Sequence, residues 1–259
     1  MHSSTRAKTS RDYIIRLCQT REELAACVTL QKKIWGYAED EVYPLRLFIN
    51  LPKIGGHVLG AFTARGDVVG FVASMPAWHG RKRYFHSLSL GVLPQHEDRG
   101  LGRALKLAQR EEALKAGVDC VEWTFDPLKP KNSYFNLVRL GAIVRRYLPD
   151  HYGHVRSRLQ QGLPSDRLVA EWWLKSLRVR RALAAKPPLA GKKKPRAAVE
   201  VPLNIGKLAD SHPDEARAVQ LRVREQFMQC FKRKLAVTAF EKDERSYRFL
   251  LEKYENRAR

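Results

Sequence analysis

The stretch from Val92 to Leu105, VLPQHEDRGLGRAL, constrains this chain more than any other. Upstream, Tyr84 to Leu93 is rich in aromatic and aliphatic residues, as strands are. Downstream, Leu101, Ala104, Leu105 and Ala108 recur at helical spacing. Between them, Gly100 and Gly102 remove two side chains where backbone would meet a ligand. The first turn of a helix carries unpaired N–H groups and a partial positive charge. A strand that passes through two glycines into a helix therefore offers a cradle for phosphate.

The spacing narrows the ligand. The Gly-Lys-Ser/Thr of a Walker loop is missing, and so is the third glycine of a dinucleotide fingerprint. Val92, Pro94 and then Gly100 and Gly102 ahead of a helix resemble motif A of the GNAT acyltransferase superfamily. That resemblance implies that the pyrophosphate of acyl-CoA lies on the loop, contacted by Arg99, Gly100, Leu101, Gly102, Arg103 and Ala104. Leu90 and Val92 would line the same ligand from the strand. The family usually has Gln or Arg three residues before the first glycine, where this chain has Glu97. The other reading is an ordinary strand-to-helix turn.

A chain of 259 residues can bury a substantial core as one large or two small domains. No apolar run approaches the ~20 residues that span a bilayer, so no membrane partner is expected. Met1 to Asp12 lacks the apolar core of a signal peptide. Cys18, Cys27, Cys120 and Cys230 are scattered, without a Cys-x-x-Cys pair. They read as reduced thiols of a cytoplasmic protein and not as a zinc site or other metal centre. The net charge of +21 fits an anionic ligand, a nucleic acid or a membrane surface. Trp172 to Val199 holds no acidic residue and nine Lys or Arg, so much of the excess sits in one segment. That segment reads as a solvated helix end and linker, or else as a binding patch.

The fold class is α/β, a mixed sheet flanked by helices. Strands are expected over Tyr13 to Cys18, His57 to Thr63, Val68 to Met75, Tyr84 to Leu93 and Val118 to Phe125. Helices are expected over Arg21 to Trp35, Pro44 to Leu51 and Asn132 to Leu140, the last ended by Gly141. Later strands fall at Arg145 to Tyr152 and Leu168 to Leu174. This order resembles the GNAT fold over Arg11 to Leu174. Four segments follow: a flexible N-terminus (1–12), a catalytic domain (13–181), a basic Pro/Ala/Lys-rich linker (182–198) and a C-terminal extension (199–259). The extension holds a strand, a helix opening at Ser211-His212-Pro213 and a hairpin around Lys242-Asp243-Glu244. It is too thin to stand alone and is expected to dock on the main domain.

The runs Asp126-Pro127-Leu128, Asn132, Phe135-Asn136, Leu140-Gly141-Ala142 and Gly162 to Arg167 resemble a bacterial and archaeal GNAT branch with a C-terminal extension. Some of its members are associated with N-succinylamino acid metabolism, which implies an amino-acid amine as one acceptor. GNAT enzymes often carry a carboxylate base six residues before the motif's first valine, and here that residue is His86. A histidine can take the role, since free imidazole titrates near ~6.5. A hydrogen-bonded core histidine is the plain alternative. His79 is a weaker candidate. Ser87 and Ser89 should point away from His86 along the pleat. Asp126 would hold the substrate amine or align His86, or else is a turn residue before Pro127. Asn132 and Asn136 lie one helical turn apart and should share a face; the resemblance gives Asn132 a CoA contact, and Asn136 is grouped with it. The usual tyrosine acid is replaced by Leu137, with Tyr134 or Tyr147 as substitutes. Ser165-Asp166-Arg167 is a strand start or an acceptor contact.

These residues point to a cytoplasmic N-acyltransferase that uses acetyl-CoA or succinyl-CoA. It would acylate a small-molecule amine directly, with catalytic His86 and Asp126. A homodimer is left open. The rival classes are a basic nucleic-acid-binding module, with no signature to favour it, and a CoA-binding protein without catalysis.

Overall fold

Thr20 opens the first helix. Its hydroxyl accepts the Glu23 N–H while the Glu23 carboxylate accepts the Thr20 N–H, a reciprocal cap for a helix start. Arg16 clamps the same carboxylate through both guanidinium nitrogens, at 3.0 and 2.6 Å. In this computed structural model, residues 8–10, 12–153, 160–186 and 195–254 are described. They divide into two units, with the boundary between Val121 and Glu122.

The first unit contains β1 (Lys8–Ser10), β2 (Tyr13–Leu17), α1 (Arg21–Trp35), α2 (Leu45–Asn50), β3 (His57–Thr63), β4 (Val68–His79), β5 (Lys82–Val92) and α3 (Leu101–Lys115). The strands lie in chain order, each antiparallel to the next. Neighbouring strand residues feed opposite cores, as a period of two requires. Leu59 and Val72 join Leu101, Leu105 and Ala108 of α3. Val58, Phe71 and Ala73 join Leu24, Cys27 and Leu30 of α1 with Phe48 of α2. The thiols of Cys18 and Cys27 come within 3.8 Å of each other. The short β1 lies within the segment expected to be a flexible N-terminus, because Lys8 to Ser10 pair with Ile15 to Tyr13.

The β4–β5 register shifts once. Ala73 pairs with Ser89 but Ser74 pairs with Ser87, so Leu88 is an extra residue on β5. A one-residue bulge of this kind re-aims the side chains beyond it.

β6 (Cys120–Phe125) crosses the boundary between the units. The second unit then has α4 (Pro130–Tyr134), β7 (Ile143–Leu148), β8 (Arg167–Trp173), α5 (Leu177–Leu183), β9 (Ala197–Pro202), α6 (Ile205–Ser211), α7 (Pro213–Lys232), β10 (Leu235–Lys242) and β11 (Ser246–Lys253). Its strand order is β6-β8-β7-β10-β11-β9. Strand β10 pairs with β7 through Val237 and Val144, which brings residues of the C-terminal extension into the same sheet as β7 and β8.

The helix expected over Asn132 to Leu140 is shorter. It ends at Tyr134 and continues as a π turn from Phe135 to Arg139, closed by Leu140 N–H to Phe135 C=O. Gly141 follows at φ +75°, and a Cβ there would lie 2.9 Å from the Ala182 Cβ. The close approach lets Arg178 of α5 donate to the Gly141 and Leu137 carbonyls at 3.0 and 3.3 Å. One cation of the basic segment is therefore structural, while Lys192 to Lys194 of the expected linker lie outside the described residues. The strand expected over Arg145 to Tyr152 stops at Leu148, because Asp150 turns with φ +41°.

Asp166, at the head of β8, has no exposed surface. Its carboxylate accepts the Tyr147 hydroxyl, the Asp150 N–H at 2.9 Å, and both Nε and Nη2 of Arg224 from α7, at 2.9 and 2.7 Å. Breaking a buried ion pair from one side leaves a charge uncompensated and costs about 3–5 kcal/mol. Arg224→Met should therefore destabilise the second unit by about 3 kcal/mol in urea unfolding. Changing Asp166 to Asn in the same background should recover part of that loss.

Candidate active site

Helix α3 starts without a side-chain cap. Gly100 occupies the cap position at φ +79°, in the left-handed region, and its C=O receives the Ala104 N–H at 3.0 Å. The Leu101, Gly102 and Arg103 N–H groups precede that first intrahelical bond, and the cap residue, a glycine, brings no side chain of its own to them. Asp98, at φ +57°, turns the chain just before it. Beyond a Cβ at Gly100 there is nothing within 4 Å, and at Gly102 only a Leu90 methyl at 3.8 Å. The helix start thus combines backbone donors, a positive dipole end and space at both glycines, the features that an anion site uses.

Leu90 packs from the side and Val92 lies in the core with Leu101. Ala104 is half-buried against the same cluster. Arg103 is half-buried in the first turn. Arg99 donates to the Tyr13 hydroxyl at 3.1 Å, and that hydroxyl also meets His96 Nδ1 at 2.8 Å. This network ties the loop to β2. A cleft of about 790 Å³ opens on the other side of Leu93 and His96, but Glu22, Glu23 and Asp67 line it. Its three carboxylates outnumber its Lys33 and Arg65, so it is a poorer seat for pyrophosphate than the glycine loop.

His86 is half-buried on β5, paired across the sheet with Met75. Met75 packs with the α1–α2 core, so His86 lies on that face. Ser87 points the other way, under α3, as expected. Ser89 does not: the extra residue Leu88 returns it to the face of Ala73 and His86. Simple alternation fails there because it assumes an unbroken strand.

Beneath α3 lies a polar cluster that the sequence did not signal. His57, Ser74 and Ser87 are neighbours across β3, β4 and β5. Lys106 and Gln109 of α3 come down onto them, and all five are buried. Lys106 Nζ donates to Ser87 Oγ at 3.2 Å and to Gln109 Oε1 at 2.9 Å. Gln109 Nε2 donates to Ser74 Oγ at 2.6 Å and Ser87 Oγ at 2.9 Å. Burial pushes the Lys106 pKa well below its ordinary value. Burial first, and the nearby Lys106 second, lower that of His57 to about 4. The His57 Nε2 has no hydrogen-bond partner, which favours its neutral form.

The second unit holds the remaining candidates. Asp126 Oδ1 accepts the Leu128 N–H at 2.8 Å, so it forms the turn before β6 gives way to α4. Desolvation raises the Asp126 pKa, opposed chiefly by Arg167. Asn132 and Asn136 do not share an environment. Asn132 is exposed, whereas Asn136 is buried and its Oδ1 accepts the Trp123 indole N–H at 3.2 Å. The π turn that begins at Phe135 alters the spacing between them. Tyr147 is buried, donates to Asp166 and has its pKa raised by burial and that bond, so it is a poor proton donor. Tyr134 is exposed. Ser165 and Asp166 are wholly buried and serve the turn: the Ser165 hydroxyl accepts the Tyr152 N–H.

Two outcomes follow from these environments. His57 has a folded pKa below its unfolded one, so protonation favours the unfolded chain. Its share of stability is intact above about 6.5 and is lost as pH falls toward about 4, roughly 3 kcal/mol at most. Thermal unfolding across that window should be flatter in His57→Leu than in the parent. Gly102 is helical and uncrowded, so Gly102→Asp places a carboxylate in a first turn, where it stabilises a helix by about 0.3–1 kcal/mol. The same carboxylate would repel a pyrophosphate. Acyl-CoA affinity by calorimetry should fall at least tenfold while the melting temperature holds or rises.

Comparison with known proteins places these features in a family. Residues 18–135 match the model of the acetyltransferase (GNAT) family. That span runs from α1 through α4 and contains the glycine loop. No curated protein matches the chain. Among solved structures, a GNAT-family acetyltransferase from Desulfovibrio desulfuricans aligns at TM-score 0.50 and 14% identity, over 62% of this chain and 99% of its own. The NatC complex bound to a Gag peptide and CoA aligns at TM-score 0.50 and 12% identity, over 62% and 97%. At these identities the likeness is one of fold. The family match identifies residues 18–135 as a GNAT acetyltransferase domain, of the acyl-CoA-dependent acyltransferase class.

Proposed function

We propose that the protein is a cytoplasmic enzyme that transfers an acetyl or succinyl group from CoA directly to the amine of a small molecule, such as an amino acid. The observation that carries this reading is the start of α3, where a glycine at φ +79° takes the cap position and a Cβ at Gly100 or Gly102 would meet no crowding. The Leu101, Gly102 and Arg103 N–H groups would hold the pyrophosphate, and Arg103 would add charge. Leu90 would border the chain that leads to the thioester. Asn132, exposed on α4, would contact the CoA arm.

In the transfer, the amine nitrogen attacks the thioester carbonyl carbon, the carbon–sulfur bond breaks and CoA leaves as thiolate. His86 accepts the amine proton. Asp126 would contact the amine through the oxygen that the turn does not use. Direct attack is supported by the cysteines. Cys27 and Cys230 have raised pKa values, Cys27 through its contact with Cys18 and burial, and Cys230 through burial. Thiols held protonated are poor acyl carriers.

A peptide amine is a second reading. It is favoured by the NatC fold neighbour, which was solved with a peptide and CoA.

His86→Ala should lower kcat by roughly 10²–10⁴-fold with little change in acyl-CoA affinity. The parent should show an acid limb in its kcat/KM profile that the variant lacks. A fully active His86→Gln, which keeps a hydrogen-bonding shape but no useful basicity, would remove His86 as the base.

A further inference from the structure

The tip of the β4–β5 hairpin carries an unusual surface. From Val68 to His96 there is no acidic residue, and Arg81, Lys82 and Arg83 stand together, all exposed, at the turn. Trp78 is 59% exposed beside them. His79 and Tyr84 stack across the strands, with ring centroids 4.3 Å apart and planes 7° from parallel. Arg83 also donates to the Ala116 carbonyl at 2.6 Å, which anchors the tip to the end of α3.

The register ties this surface to the candidate base. Met75 pairs with His86, Ala77 with Tyr84 and His79 with Lys82. Directly opposed residues share a face, and so do residues two apart on one strand. His86, Tyr84, His79 and Lys82 therefore form one row on one face of the hairpin. At about 3.4 Å per residue, Tyr84 lies about 7 Å from His86 and Lys82 about 14 Å. Trp78 and Arg83 pair on the opposite face.

We infer that this row is an acceptor track, and that the acceptor is a short acidic peptide. Its N-terminal amine sits at His86, its backbone runs over the Tyr84–His79 ring pair, and carboxylates at its third or fourth residue meet Lys82 and Arg81. An extended peptide advances about 3.3 Å per residue, so its third and fourth residues lie about 7 and 10 Å from the first, and the reach of Glu and Lys side chains covers the rest. Continuity with His86 favours a peptide over nucleic acid, because the track ends at a group that takes a proton from an amine. The inference rests on His86 as the base and on the peptide reading of the acceptor.

The test compares Ala-Ala-Glu-Glu with Ala-Ala-Gln-Gln as acceptors of acetyl-CoA. Binding is measured separately by anisotropy, with the dye on the peptide C-terminus. The parent should prefer the acidic peptide about tenfold in kcat/KM, through KM and not kcat, with the preference shrinking as salt rises. In R81E/K82E, a double charge reversal on exposed residues outside the catalytic machinery, the preference should vanish or invert while the KM for acetyl-CoA stays unchanged. Equal binding of both peptides, or the same preference in the reversed variant, overturns the track. Preferential binding without any acyl transfer keeps the track and overturns the enzymatic reading. Displacement of the acidic peptide at physiological salt by labelled oligouridine, lost in R81E/K82E, assigns the surface to nucleic acid and also overturns the proposal.

Discussion

A helix that begins without a capping side chain leaves its first N–H groups to something outside the helix. In the first unit α3 is such a helix, and its surroundings hold its start in place. Leu101 and Leu105 are wholly buried against β2, β3 and β4. Arg99, Tyr13 and His96 brace the loop from behind. Lys106 and Gln109 bond to Ser87 one residue before the bulge in β5. The helix start and the strand that carries His86 are thus fixed by one set of contacts. Burying a lysine amine is costly unless it is bonded, and here Nζ donates to Ser87 and Gln109 while burial lowers its pKa.

The second unit depends on a different contact. Asp166 gathers Tyr147 of β7, the turn at Asp150 and Arg224 of α7 around one carboxylate. Around it, Phe227 stacks on Tyr147 and meets Phe249 edge-on, and Tyr247 donates to the Pro127 carbonyl at 3.0 Å. Residues 199–254 share this core with β7 and β8, and their strands extend the sheet from β7. Asp166 stands at the strand start expected of it, and its carboxylate also fastens distant parts of the chain together.

Much of the fold was legible in the sequence. The apolar stripe Leu24, Cys27 and Leu30 behind Thr20 gave α1 to the residue, and Gly100 and Gly102 gave the start of α3. Three things were not legible. The bulge at Leu88 adds one residue to a strand whose alternation reads smoothly through it, so Ser89 was assigned to the wrong face. Lys106 and Gln109 follow Leu105 and Ala108 by one position and look like the polar flank of an amphipathic helix. Only the tertiary fold brings Ser74 and Ser87 beneath them. Asp166 and Arg224 are 58 residues apart, and neither carries a local sign of its partner. The candidate site divides in the same way: the loop and the turn at Asp126 follow from backbone chemistry, which local sequence specifies, while Asn136 was drawn into a core by contacts no motif records.

The strand orders of the two units differ in a way that bears on synthesis. In the first unit, each strand pairs with the one made just before it, so the sheet can grow as the chain leaves the ribosome. In the second, β11 lies between β10 and β9, though it is the last of the three to be made. Until Ser246 to Lys253 emerge, β9 lacks this partner, and the edge of β10 that β11 will cover stays open. An exposed edge is a template for pairing with another chain. The vulnerable interval therefore falls between the emergence of β10 and that of β11, when the glycine loop can already have formed and the second unit still lacks the strand between β10 and β9.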